Sequence, residues 1–200
     1  YSANDISEWN GIYTGKYKTL INVPISIASA LAASSVPALT AAYTNGKKEA
    51  VRSQINTAIR FIMVVAFPCA VGMGVLASPI LQLLFRDSSE LAASMLQLGA
   101  VSIVFFSLST LSNGLLQGIN RMREPVKNAL IALVLHIGLL VVLMYAFQLN
   151  IYAVVYANAF FGLLMCVLNA YSVKKYSGYR QEIRRTFVIP GISALIMGVA

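Results

Sequence analysis

Lys16 and Lys18 stand two residues apart just ahead of a long apolar stretch, and Arg60 lies just inside the next one. Cations placed in this way can hold an anionic headgroup such as a pyrophosphate, which suits the point charge of a lysine ammonium. The competing reading is solvated charge at a membrane interface. A long basic side chain near the end of a span snorkels cheaply, whereas Arg at a bilayer centre costs about 2.5–3.5 kcal/mol. Asn22, Asn113, Gln117 and Asn120 add uncharged hydrogen-bonding groups in or beside apolar stretches. These suit a sugar-bearing substrate, or bonds between helices worth about 0.6–2 kcal/mol each.

Catalysis finds little support. The one histidine, His136, lies in the middle of an apolar stretch with no carboxylate near it in sequence, and a packing or hydrogen-bonding role fits it best. HExxH, GxSxG and GxxxxGK[ST] are all missing from the sequence. Cys69 and Cys166 are far apart, lack CxxC spacing and fit small buried apolar groups. The sequence therefore predicts no enzyme, no catalytic residue, no metal and no cofactor. All seven acidic residues lie outside the apolar stretches, so no intramembrane carboxylate is at hand for proton or sodium coupling.

The elements that carry these groups are membrane helices. A hydrophobic fraction of 58% with 11% charged residues is not that of a soluble domain. Six stretches, at about 12–43, 54–85, 91–119, 127–147, 151–172 and 186–200, read as spans, the last cut short at Ala200. The predicted fold is all-α, a polytopic transmembrane bundle read as an internal piece of a longer protein. Basic residues collect in alternate gaps: Lys47, Lys48 and Arg52; then Arg121, Arg123 and Lys127; then Lys174, Lys175, Arg180, Arg184 and Arg185. Short loops rich in Lys and Arg remain in the cytoplasm, so the first span should run from outside to inside. Eleven of the fifteen basic residues fall in those gaps, which explains the net charge of +8 through topology and anionic inner-leaflet lipid, without nucleic acid.

Finer features follow. Asp5 or Ser7 is expected to cap a first helix, with Trp9, Tyr13 and Tyr17 at the outer interface. Pro24 and Pro68 fall inside spans, where each removes a backbone hydrogen bond and marks a bending point. Residues 26–35 are nearly all small, permitting close or sliding helix contact. Gly114 and Gly118 form a GxxxG.

The segment from Leu20 to Pro37 containing Asn22-Val-Pro24, then the basic stretch, then Phe67-Pro68, Gly72, Leu76-Ala-Ser-Pro79-Ile80 and Leu84-Phe85, resembles the MOP superfamily of flippases. Leu115-Leu-Gln-Gly118 with Arg121 and Pro125 is similar to the stage V sporulation protein B-like branch, which is related to the lipid II flippases of bacteria. The resemblance implies most of the second lobe of a two-lobe transporter in the cytoplasmic membrane. It also implies alternating access that carries the headgroup of an undecaprenyl-linked saccharide while the lipid tail remains in the bilayer. On that implication Lys16, Lys18 and Arg60 would meet the headgroup, Asn22 and Asn113 would line the cavity, and Pro24 and Pro68 would be hinges. Some lipid II flippases carry an acidic–Arg pair shortly before the first proline. Lys16, Lys18 and Thr19 occupy that neighbourhood here, which leaves the glycan open.

Two other readings compete. A multidrug and toxin extruder of the same superfamily would need an anionic cavity, and the spans hold no acidic residue. A non-transporting membrane scaffold would be a dry, fully packed bundle.

Overall fold

The computed structural model describes residues 3–148 and 151–199, which form helices joined by short turns. Helix α1 (Ala3–Gly11), a π-helical turn (Ile12–Tyr17) and α2 (Lys18–Thr44) follow without interruption. Then come α3 (Lys48–Val75), α4 (Ala77–Phe85), α5 (Glu90–Gly99), α6 (Val101–Gly118), α7 (Arg123–Tyr145), α8 (Ile151–Ser177), a second π-helical turn (Arg184–Val188) and α9 (Ile189–Val199). Because α1 already runs from Ala3, Asp5 and Ser7 both lie inside the helix and not at its cap. The tight turn expected at 148–150 falls mainly outside the described residues.

Five helical stretches are long and apolar enough to cross a membrane: Ile6–Thr44, Lys48–Val75, Val101–Gly118, Arg123–Tyr145 and Ile151–Ser177. Helices dominate because a bilayer offers no partner for free backbone groups. The stretches read as 54–85 and 91–119 each contain two helices. Between α3 and α4 the chain leaves the helical region at Leu76, and Pro79 then sits in the first turn of α4, where its missing N–H removes no helical bond. Ser89 caps α5, its hydroxyl accepting the N–H of Ala92 at 3.4 Å.

Helix α6 is the centre of the bundle, packed against α2, α3 and α8. Its Gly114 and Gly118 face Ala32 and Leu39 of α2 so closely that a Cβ at Gly114 would lie 2.7 Å from the Ala32 Cβ. The GxxxG pair thus sets the α2–α6 crossing, where small residues let backbones approach. Thr40 fastens one end of it, its hydroxyl donating to the Gly118 carbonyl at 2.9 Å. Tyr13 and Tyr17, expected at the interface, instead turn inward. Both are buried and stacked at 5.2 Å, and the Tyr17 ring occupies the space over Gly99. Helix α7 packs mainly on α8 and leaves Leu130, Val134, Ile137 and Val141 exposed. That broad aliphatic face is one that lipid can cover.

The three basic gaps gather at one end. The Arg121 guanidinium lies 4.4 Å from the centroid of the Tyr176 ring, and Arg52 reaches the Ser177 carbonyl. One pocket is lined by Tyr43, Gly46 and Lys48 together with Tyr176 and Gly178. Gly46 and Gly178, at φ +66° and +65°, end α2 and α8 in the left-handed region that glycine enters without penalty.

Candidate functional site

The two lysines nearest the first span diverge. Lys16, on the π-helical turn, reaches Asp87 in the α4–α5 loop, with Nζ 2.6 Å from Oδ2 and side chains 29% and 14% exposed. Asp87 also accepts the backbone N–H of Ser89 at 2.9 Å. Donation from Lys16 and then from that N–H holds the Asp87 carboxyl below the usual carboxylate range. Lys18 points elsewhere, is exposed, and sits 5.0 Å from the centroid of the Tyr13 ring. An inserted π-turn carries an extra residue, and such turns recur at functional sites.

Lys18 begins an open stripe on α2. Asn22, Ser26, Ser29, Ala30, Ala33, Ser34 and Pro37 follow at helical spacing, all exposed. Val23 and Ile27 flank the stripe and are exposed as well. The Ser26 hydroxyl donates to Val23 O and that of Ser34 to Leu31 O, so the helix satisfies these two itself. Beside the stripe lies a groove of about 400 Å³ between α2 and α3, lined by Ser34, Ser35, Ser53, Gln54, Thr57 and Phe61 among others. The Gln54 Oε1 is buried there without a partner. This face and that of α7 are both open, yet their chemistry is opposite: small and hydroxyl-bearing on one, branched aliphatic on the other.

Arg60 belongs to the basic end, far from Lys16 and Lys18 in the chain. It pairs with Glu182 of the α8–α9 loop, and its Nε is buried without a partner. Next to it the Tyr179 hydroxyl donates to Asn56 Oδ1 at 3.0 Å. Burial, reinforced by the charge of Glu182, pushes the Tyr179 hydroxyl up from its ordinary value, so it is a proton donor at neutral pH. Asn113 is half-buried and turned toward α8. Its Oδ1 accepts from Asn169 Nδ2 at 2.8 Å, and the Asn169 Oδ1 accepts from Asn128 Nδ2 at 2.9 Å. Asn128 also donates to Ser172 Oγ at 3.1 Å, so the chain of amides ties α6, α8 and α7 together. Pro24 is buried and Pro68 half-buried; the helices run on through both. His136 Nδ1–H donates to the Ala157 carbonyl at 2.8 Å and the ring meets that of Phe161 edge-on, which places it in the α7–α8 contact.

Sequence reasoning missed Asp87, Asn128, Asn169 and Glu182. A signal existed for the two asparagines, which are amides within or at the start of apolar stretches. None existed for the two acids, whose partners lie 71 and 122 residues away. Among the described residues, no group of three His, Cys, Asp or Glu side chains comes together to hold a metal.

What remains is a helical bundle with one aliphatic open face, one small and polar open face and a basic end. Residues 18–200 match the sequence profile of the family described as lipid II flippase MurJ. The chain belongs to that family. It is accordingly a multi-pass protein of the cytoplasmic membrane and a member of the MOP superfamily. It is 28% identical over 194 residues to the lipid II flippase MurJ of Bacillus subtilis (strain 168), covering 94% of this chain and 35% of the relative. A probable lipid II flippase MurJ of Bdellovibrio bacteriovorus is 26% identical over 208 residues, covering 98% of this chain and 39% of the relative. The chain thus spans between a third and two fifths of the length of these curated relatives. These matches are lipid II flippases; the narrower resemblance to the sporulation branch finds no counterpart among them. No solved structure gives a significant match.

Proposed function

We propose that this chain forms one lobe of a flippase that carries an undecaprenyl-linked saccharide from the cytoplasmic to the outer face of the membrane by alternating access. The family favours the peptidoglycan precursor lipid II as the cargo. The observation that carries the reading is the small, hydroxyl-bearing open face of α2. Lipid tails gain nothing from such a surface, and a polar headgroup moving past it meets little steric resistance. Lys18 and Asn22 lie on this face and are suited to the diphosphate and the sugar. Lys16 is held by Asp87 and would meet the headgroup only after exchanging partners. Arg60, at the basic end, would act on the cytoplasmic side. Asn113 would serve by fixing α6 to α8, and Pro24 and Pro68 would be bending points.

The open face of α2 also weighs against a dry scaffold, as does the unpartnered Gln54 oxygen. A drug extruder is disfavoured because the spans offer amphipathic cations no carboxylate. The test uses the full-length protein with single cysteines at Ser26, Ala33 or Val134 and a membrane-impermeant maleimide. Labelling at Ser26 and Ala33 with protection at Val134 is expected; equal protection at all three would sink the reading. In proteoliposomes, Lys18→Gln with Asn22→Leu should slow headgroup translocation at least about tenfold, the loss of roughly 1.4 kcal/mol of headgroup stabilisation.

A further inference from the structure

At the basic end, the α8–α9 loop folds over the start of α3 and encloses an open pocket of about 830 Å³. Arg52, Lys174 and Arg180 line it, with Ser53, Asn56, Tyr179 and Glu182. Glu182 is already paired with Arg60, and among the described residues none of the three lining cations has a carboxylate partner. The positive-inside rule accounts for cations at this end, but not for their lining one cavity. Arg52 is fixed: it reaches the Ser177 carbonyl and rests on Gly178, where a Cβ would stand 2.6 Å from its Nη2. Asn56 is oriented as well. It gives its oxygen to the Tyr179 hydroxyl, which leaves its N–H pair for another acceptor. Charged and neutral donors thus converge on one space at the basic end of the bundle.

We propose that this pocket is a binding site for a phosphate-bearing lipid headgroup on the cytoplasmic side, with Arg52, Lys174 and Arg180 as the cationic contacts and Asn56 and Ser53 as neutral donors. Phosphate oxygens match both the charge and the several donors, and a guanidinium can meet two of them at once. The headgroup comes either from an anionic phospholipid of the inner leaflet or from the diphosphate of a polyprenyl-linked substrate awaiting transport. The site rests on the membrane orientation argued above and not on the transport cycle. A test that reads binding alone therefore fails independently of the flippase reading.

The experiment uses full-length protein in nanodiscs of a neutral lipid, titrated separately with phosphatidylglycerol and with undecaprenyl diphosphate. Arg52→Gln with Lys174→Gln is compared with a control that removes two cations from the same end outside the pocket, Lys47→Gln with Arg123→Gln. A direct charge-assisted hydrogen bond to phosphate is worth about tenfold or more in affinity, so the pocket pair should weaken binding roughly 100-fold; the control pair makes no such contact and loses only screened longer-range attraction, less than about threefold. Selective loss for phosphatidylglycerol assigns the pocket to bulk lipid, for undecaprenyl diphosphate to the substrate, and for both to a shared phosphate site. Gly178→Ala changes no charge but pushes Arg52 aside, and should weaken the same ligand severalfold. Equal losses in the pocket and control pairs, or none in either, would overturn the proposal by reducing the pocket to diffuse surface charge.

Discussion

Gly114→Ala and Gly138→Ala are the same chemical change in two membrane helices, and the structure assigns them opposite signs. In α6 the new Cβ would stand 2.7 Å from the Ala32 Cβ and 3.3 Å from its Cα. Apolar carbons settle at about 3.5–4.0 Å, so α2 and α6 must part by roughly 1 Å at this level. Ala32 has no rotamer with which to yield. Overpacking of this kind costs about 1–3 kcal/mol, offset by about 1 kcal/mol from the better helix propensity of alanine. The net expectation is a loss of about 0–2 kcal/mol. At Gly138 of α7 nothing lies within 4 Å of the added carbon, so only the propensity gain remains, about 0.5–1 kcal/mol. Unfolding of the full-length protein in mixed micelles of rising SDS content reads both variants on one scale. Gly114→Ala should unfold at lower SDS than wild type and Gly138→Ala at equal or higher SDS. If the two shift together, the close α2–α6 approach is not what holds this crossing.

The Lys16–Asp87 pair should show a coupling of about 0.2–1 kcal/mol in a double-mutant cycle with Lys16→Gln and Asp87→Asn. Because the folded Asp87 carboxyl titrates below its unfolded value, its contribution is complete above the ordinary carboxylate range and fades only as pH falls through the lower folded value. Stability referable to Asp87 should therefore be flat from about pH 5 to 8, and a change near neutrality would contradict the pairing. Asn169→Leu strands the Asn113 oxygen and leaves Asn128 with Ser172 alone, and should cost about 1–3 kcal/mol in the same SDS titration; an unchanged midpoint would refute the network. Glu182→Gln should loosen the α8–α9 loop and speed tryptic cleavage at Arg180. An unaltered rate would mean that Arg60 does not hold that loop.

Hydropathy made the spans legible, because twenty apolar residues in a row have few other uses, and the basic gaps are adjacent at one end as alternation requires. The break at Leu76 was not legible, since no charge or polar cluster marks it, whereas at Ala100 the backbone stays in the right-handed helical region and α5 passes into α6 with little interruption. For the candidate site, residue type was readable but direction was not. Lys16 and Lys18 look like a pair in sequence, yet two positions along a helix point to different sides, and Asp87 takes one of them. Asn113 is polar enough to suggest a cavity. Its engagement depends on how α8 is rotated to present Asn169, a fact held in neither helix alone. The GxxxG of α6 looked commonplace among many small residues, and only the approach of Ala32 and Leu39 distinguishes it.

Helix α7 separates two instructions that most soluble helices give together. Its aliphatic circumference is sufficient to drive it into a bilayer but says little about which side should face the protein, since lipid tails and the flank of α8 are equally apolar partners. That choice is made by the Asn128 side chain, whose amide finds Asn169 and Ser172 in only one rotation, and by His136, whose ring finds the Ala157 carbonyl in the same one. Insertion is thus encoded by many interchangeable residues and docking by two that are not. A polar residue placed one helical position away from Asn128 would leave α7 in the membrane but turn it by about 100°, and the altered register would pass along the amide chain to α6.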